Sequence, residues 1–100
     1  MIPGVGPETP TITNEQGAKQ SDLPYRFDLL PAAAVSAVSE VLRHGADKYG
    51  ADNWRGIPTN DHLNHALAHV FSYLHGDTQD DHIEHAACRL LMALEKKLES

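Results

Sequence analysis

Apolar residues recur at helical spacing in three stretches of the chain. Val35, Val38, Val41 and Leu42 predict a first helix that starts at Pro31, which a first helical turn tolerates, and runs to about His44, where Gly45 ends it. Leu63, Leu67, Val70 and Leu74 predict a second helix from Asp61 to about His75, capped by Thr59 or Asn60, with Asp61 complementing the dipole. Ile83, Ala87, Leu90, Leu91, Leu94 and Leu98 predict a third from about Asp81 to Leu98, its Glu95, Lys96, Lys97 and Glu99 tail facing outward. With these stripes turned inward, the expectation is an all-α antiparallel bundle.

The N-terminal segment lacks such a pattern. Residues 1–22 hold Pro, Gly, Thr, Asn and Gln with no apolar periodicity, and are expected to form a flexible arm or an extended strap ahead of a helical domain over 23–100. Leu23–Pro31 alternates bulky and charged residues between prolines, and reads either as a hydrophobic clasp or as a means for Tyr25 or Arg26 to reach a ligand.

The polar positions carry the chemistry. Between the first two helices lies Ala46–Pro58, ADKYGADNWRGIP, which packs Lys48, Tyr49, Asn53, Trp54 and Arg55 into one glycine-punctuated loop. Connecting loops in small domains are usually short and plain, so this one is a candidate ligand-binding element, with Trp54 alternatively a core anchor that pins the loop. On the second helix His62, His65 and His69 share a face at three- and four-residue spacing, and read as metal ligands, as phosphate partners or as a solvated face. Asp77, Asp80 and Asp81 follow in the next turn, and Asp81, His82, Glu84 and His85 open the third helix. Acids at a helix start complement its dipole, which explains Asp80 and Asp81 without a ligand but explains Asp77 less well. Glu40 borders the apolar stripe of helix one, as a surface glutamate or as a ligand.

Composition narrows the choices. A chain of 100 residues with 41% apolar content makes one domain with a modest core, which association with a second copy would help. Its net charge of -6 argues against a nucleic-acid polymer as partner and suits a site for divalent cations. One cysteine permits no internal disulfide. No run has membrane-spanning length and the N-terminus lacks a signal-peptide core, so a cytoplasmic protein is expected. Hard oxygen ligands without a Cys pair point to Mg²⁺ or Mn²⁺, and the loop's cations, aromatics and amide suit a nucleotide's phosphates and base. Together they suggest metal-assisted hydrolysis of a phosphoanhydride.

The ordered set Arg26–Pro31, Glu40-Val41-Leu42, Gly45–Gly50, Asn53–Gly56, His65 to His69, Gly76-Asp77 and His82–Cys88 resembles the phage and bacterial dATP/dGTP diphosphohydrolases, relatives of the MazG-like all-α nucleotide pyrophosphohydrolases. The resemblance implies an oligomeric bundle that uses Mg²⁺ or Mn²⁺ to cleave purine deoxynucleoside triphosphates to monophosphate and pyrophosphate, in control of nucleotide pools. The wider families' Glu-Glu-x-x-Glu cluster is missing. With that cluster missing, the acids and histidines at hand are the candidates: the expected metal ligands are Asp77, Asp80, Glu40, Asp81 and His85, with Glu40, Asp77, Asp80 and His69 in the catalytic set. Lys48, Tyr49, Asn53, Trp54, Arg55 and His65 are expected on the substrate. Two rivals stand beside this reading. A His/Asp phosphohydrolase wants an adjacent His-Asp pair, which the chain lacks, and a non-catalytic nucleotide- or partner-binding bundle would leave the acids and histidines as solvated faces.

Overall fold

The computed structural model describes residues 2–100; Met1, the first residue of the expected arm, lies outside them. The chain divides between Leu30 and Pro31 into two compact units. In the first, β1 (Thr11–Thr13) pairs antiparallel with β2 (Lys19–Ser21) in the register Thr11 to Ser21, Ile12 to Gln20 and Thr13 to Lys19. No period-2 apolar pattern announces this hairpin, because both strands are exposed on each face. Its loop is held instead by the Asn14 side chain, whose Oδ1 accepts from the Gln16 and Ala18 amides at 3.0 Å each. Leu23 and Pro24 approach Gly4 so closely that a Cβ there would lie 2.6 Å from the Leu23 Cα. Arg26 is committed within this unit, making a paired hydrogen bond to the Asp28 carboxylate at 2.8 and 2.7 Å.

The second unit is helical: α1 (Ala32–Tyr49), α2 (Thr59–Leu74) and α3 (His82–Glu99). Gly45 does not end α1. The helix passes through it and stops at Gly50, whose φ of 98° suits glycine and whose amide donates to the Ala46 carbonyl at 2.8 Å. A single glycine weakens a helix without breaking it, and Ala46-Asp47-Lys48-Tyr49 supplies another turn. Neither Thr59 nor Asn60 caps α2; it begins after Pro58, whose carbonyl accepts from the Asp61 and His62 amides.

Helix α3 packs chiefly on α2 and, less extensively, on α1. The inward faces differ from those expected. The stripe Leu63, Leu67, Val70 and Leu74 is exposed, Leu74 at 70%, and so are Ile83, Leu90, Leu91, Leu94 and Leu98 on α3. What α2 buries is His62 and Ala66, in line with half-buried His69; α3 buries His82, Ala86 and Ala93 at the same helical spacing. Alanine lets two helix backbones approach where leucine would hold them apart, and the polar ends of the seam are satisfied by hydrogen bonds across it. The leucine stripes lie about 100° round each helix from this seam.

The two glycines of α1 predict opposite responses. Space is open around a Cβ at Gly45, so Gly45→Ala is expected to raise stability by about 0.5–1 kcal/mol in urea unfolding. Gly50→Ala, at positive φ, is expected to lower it by about 1 kcal/mol or more.

Candidate functional site

The histidines of the α2–α3 seam fix its register. His62, 0% exposed, lies between two groups that settle its protonation. Arg89 can only donate, and its Nη1 is 2.8 Å from His62 Nδ1; the Trp54 carbonyl can only accept, and lies 2.9 Å from Nε2. The ring is therefore neutral, with its proton on Nε2. Burial pushes its pKa below the ordinary 6.5, reinforced by the Arg89 and Lys96 cations and opposed by the Trp54 carbonyl.

At the other end of the seam, Asp77 Oδ2 accepts from His82 Nε2 at 2.5 Å, and that bond holds the Asp77 carboxyl below its usual range. His82 Nδ1 faces His69 Nδ1 at 2.9 Å. With the His82 proton on Nε2, its Nδ1 accepts from His69. Burial, then the nearness of His85, lowers the His69 pKa. The His85 ring stacks on His69 with centroids 5.0 Å apart, and His85 Nε2 is 3.4 Å from Asp80 Oδ1.

Helix α3 turns a different side toward α1. Ala37, Glu40, Val41 and His44 from α1, Glu84 and His85 from α3 and Asp81 just before it line a cleft of about 110 Å³. Glu40, Asp81 and Glu84 supply its oxygens, and His85 belongs both to this cleft and to the histidine stack. Cys88, one turn beyond Glu84 and His85, is buried, and burial raises its pKa, so the thiol stays protonated.

Of the expected ligands, Glu40, Asp81 and His85 share the cleft; Asp77 and Asp80 lie in the turn beside it, engaged with His82 and His85. His44 and Glu84 also line the cleft, and His82 joins the seam. Glu40-x-x-x-His44 and Asp81-x-x-Glu84-His85 carry the signal, since residues three and four apart share a helix face. Exposed His65 lines neither the cleft nor the His69–His82 pair.

The aromatic and basic loop is fastened elsewhere. Arg55 lies over the Trp54 ring at 4.3 Å and donates to Glu99 at 2.6 Å and to Asp52 at 3.3 Å. Lys96 donates to the Ile57 carbonyl. Glu99 and Lys96 lie in the last turns of α3, whereas His82 and His85 lie in its first turn. The rise from His82 to Glu99 is about 25 Å. Trp54, half-buried and edge-on to His62, pins the loop to α2. Asn53 opens the short 3-10 turn Asn53–Gly56, and Lys48 sits 5.1 Å from the Tyr49 ring at the end of α1.

The family model described as dATP/dGTP diphosphohydrolase, N-terminal, matches residues 14–100. The chain belongs to that family. No curated protein and no solved structure matches it significantly. The family's name is that of a hydrolase of purine deoxynucleotides, and its match extends over the helical unit and the second half of the hairpin unit. Among the described residues no helix is long and apolar enough to cross a membrane.

The tautomers make acid sensitivity predictable. An unfolded His62 takes up a proton as pH falls below about 6.5, while the folded one resists it, so stability present above that pH declines on acidification. Asp77 adds a second decline as pH falls below its ordinary 3.8. Urea unfolding from pH 7 to pH 3 is expected to show both, and ¹⁵N spectra at pH 7 to show His62 protonated on Nε2 alone.

Proposed function

We propose that the chain hydrolyses dATP and dGTP to monophosphate and pyrophosphate with a divalent ion held between α1 and α3, contributing to nucleotide-pool control. The observation that carries this reading is the convergence of Glu40 with Asp81 and Glu84 in one cleft, together with membership of a diphosphohydrolase family. Three carboxylates, from α1 and from the start of α3, suit a hard cation, Mg²⁺ or Mn²⁺, better than a soft one. When bound, such an ion supplies charge for the phosphoryl oxygens and acidifies a coordinated water. In the reaction water oxygen attacks the α-phosphorus, the bond from that phosphorus to the α,β-bridging oxygen breaks, and pyrophosphate leaves.

The chain's own groups divide the remaining work. His85, at the cleft wall with Asp80 behind it and His69 stacked on it, orients the reacting groups. Asp77 acts through His82 on His69, as a positioning carboxylate rather than a first ligand. Lys48 and Arg55 would neutralise phosphate charge, Tyr49 and Trp54 would stack on the base, Asn53 would read its edge, and His65 would meet the substrate from α2. Because Arg55 is tied about 25 Å along α3 from the histidines, its loop serves the cleft of a second copy in this reading. The exposed stripes Leu63–Leu74 and Ile83–Leu98 support such an assembly, since apolar patches of this kind mark association surfaces.

Purified protein incubated with dATP or dGTP, with Mg²⁺, Mn²⁺ or EDTA, is expected to yield monophosphate and pyrophosphate only with metal. Glu40→Gln and Glu84→Gln should each lower kcat by more than the roughly 10–100-fold typical of an outer-shell partner. Nucleotide binding without turnover would favour a binding module instead. Light scattering should show a dimer or larger assembly that Leu67→Glu dissociates; a wild-type monomer would remove the second copy from the reading.

A further inference from the structure

We propose that His69, Asp80 and His82 form a second metal site, rich in nitrogen and suited to a borderline ion such as Zn²⁺, that ties the end of α2 to the start of α3. The inference goes beyond the hydrolytic reading and does not depend on it. The ligand atoms of these residues all lie within 4.8 Å of one another. His69 and His82 already aim their Nδ1 atoms at each other across 2.9 Å. Two metal–nitrogen bonds of about 2.0–2.1 Å at a tetrahedral angle separate their nitrogens by about 3.3–3.4 Å. An opening of roughly 0.4 Å would thus admit the ion in place of the shared proton.

The far side of His82 points the same way. Its Nε2 donates to the Asp77 carboxylate, the outer-shell arrangement that fixes a ligating imidazole's tautomer and leaves the other nitrogen bare. His82 is only 8% exposed and His69 half-buried, so the pair is placed by the fold. Asp80 closes the group from the turn, with His85 beside its carboxylate. Three protein ligands of two nitrogens and one oxygen match a zinc centre with one open position. The α1–α3 cleft, by contrast, offers oxygens from Glu40, Asp81 and Glu84. Donor hardness separates the sites: excess Mg²⁺ should occupy the cleft without displacing an ion held by two imidazoles.

Chelator-treated protein of residues 1–100 in excess Mg²⁺ would be titrated with Co²⁺, following the visible d–d absorption of a four-coordinate ion, and then with Zn²⁺. Saturation at one equivalent per chain, loss of the band on zinc addition and a raised Tm are expected. His69→Gln and Asp80→Asn should weaken binding at least tenfold, and Asp77→Asn by about 10–100-fold through the outer shell. Glu40→Gln and Glu84→Gln should leave the cobalt band unchanged. If His82→Gln fails to fold by circular dichroism, the Asp80→Asn variant, altered at an exposed turn position, decides the matter. Absence of stoichiometric binding overturns the site, as does binding indifferent to His69→Gln and Asp80→Asn. Loss of the band in Glu40→Gln would place the ion in the cleft and overturn it equally.

Discussion

The buried His62 ring is the constraint on which the helical unit depends. An imidazole with no exposure needs both nitrogens satisfied, and only one relative placement of three elements does so here: Arg89 from α3, His62 from α2 and the Trp54 carbonyl from the loop. That placement sets the sliding register of α2 against α3. Once it is set, Ala66 falls on the same buried side as Ala86 and Ala93, and His69 falls opposite His82. It also fixes the rotation of α3, which leaves Asp81, Glu84 and His85 turned toward α1 and Glu40. Loss of either partner would leave a buried ring nitrogen unpaired, at a cost of about 1–3 kcal/mol.

Using histidine and alanine for the seam has a consequence on the outside. The bulkiest side chains of α2 and α3 are displaced to the surface, in stripes that extend along each helix. A chain of 100 residues has little apolar surface to spare, and here much of it lies outside the single chain's core. The same rotation governs the loop. Glu99 and Lys96 at the end of α3 hold Arg55 and the Ile57 carbonyl, so the aromatic and basic residues are carried to the pole opposite the acids. Both features are relieved together if two copies associate, one burying the other's leucines while each presents its loop to the other's cleft.

The three helices were legible in the sequence because a 3.6-residue period survives whichever face is buried. The faces were not legible. On α2 the stripe 62, 66, 69 and the stripe 63, 67, 70, 74 have the same spacing, and side-chain hydrophobicity favours the second. Only the buried pairing of His62 with Arg89 and the close approach of α2 and α3 select the first. Gly45 misled for a related reason: a glycine is a stop only where the chain needs positive φ, and that need arises at Gly50. The candidate site was legible in part. Glu40 stands out in the sequence as an acid bordering an apolar stripe, and Asp81, Glu84 and His85 as a cluster opening a helix, whereas the part of His44 in the same cleft follows only from α1 facing α3. Asp77 was singled out as the acid that a helix dipole explains least, and its partner is a buried histidine.

His85 is the residue through which the histidine stack and the α1–α3 cleft meet. Its ring stacks on His69 at 5.0 Å, its Nε2 faces Asp80 at 3.4 Å, and it lines the cleft that holds Glu40. An ion between His69 and His82 would stiffen the wall against which His85 stacks, and would draw Asp80 toward itself. Orientation of groups at a reacting centre depends on such supporting contacts, and small displacements there carry large penalties in rate. In the proposed reading the nitrogen-rich pair and the oxygen-rich cleft would thus be coupled mechanically through His85, at the start of α3.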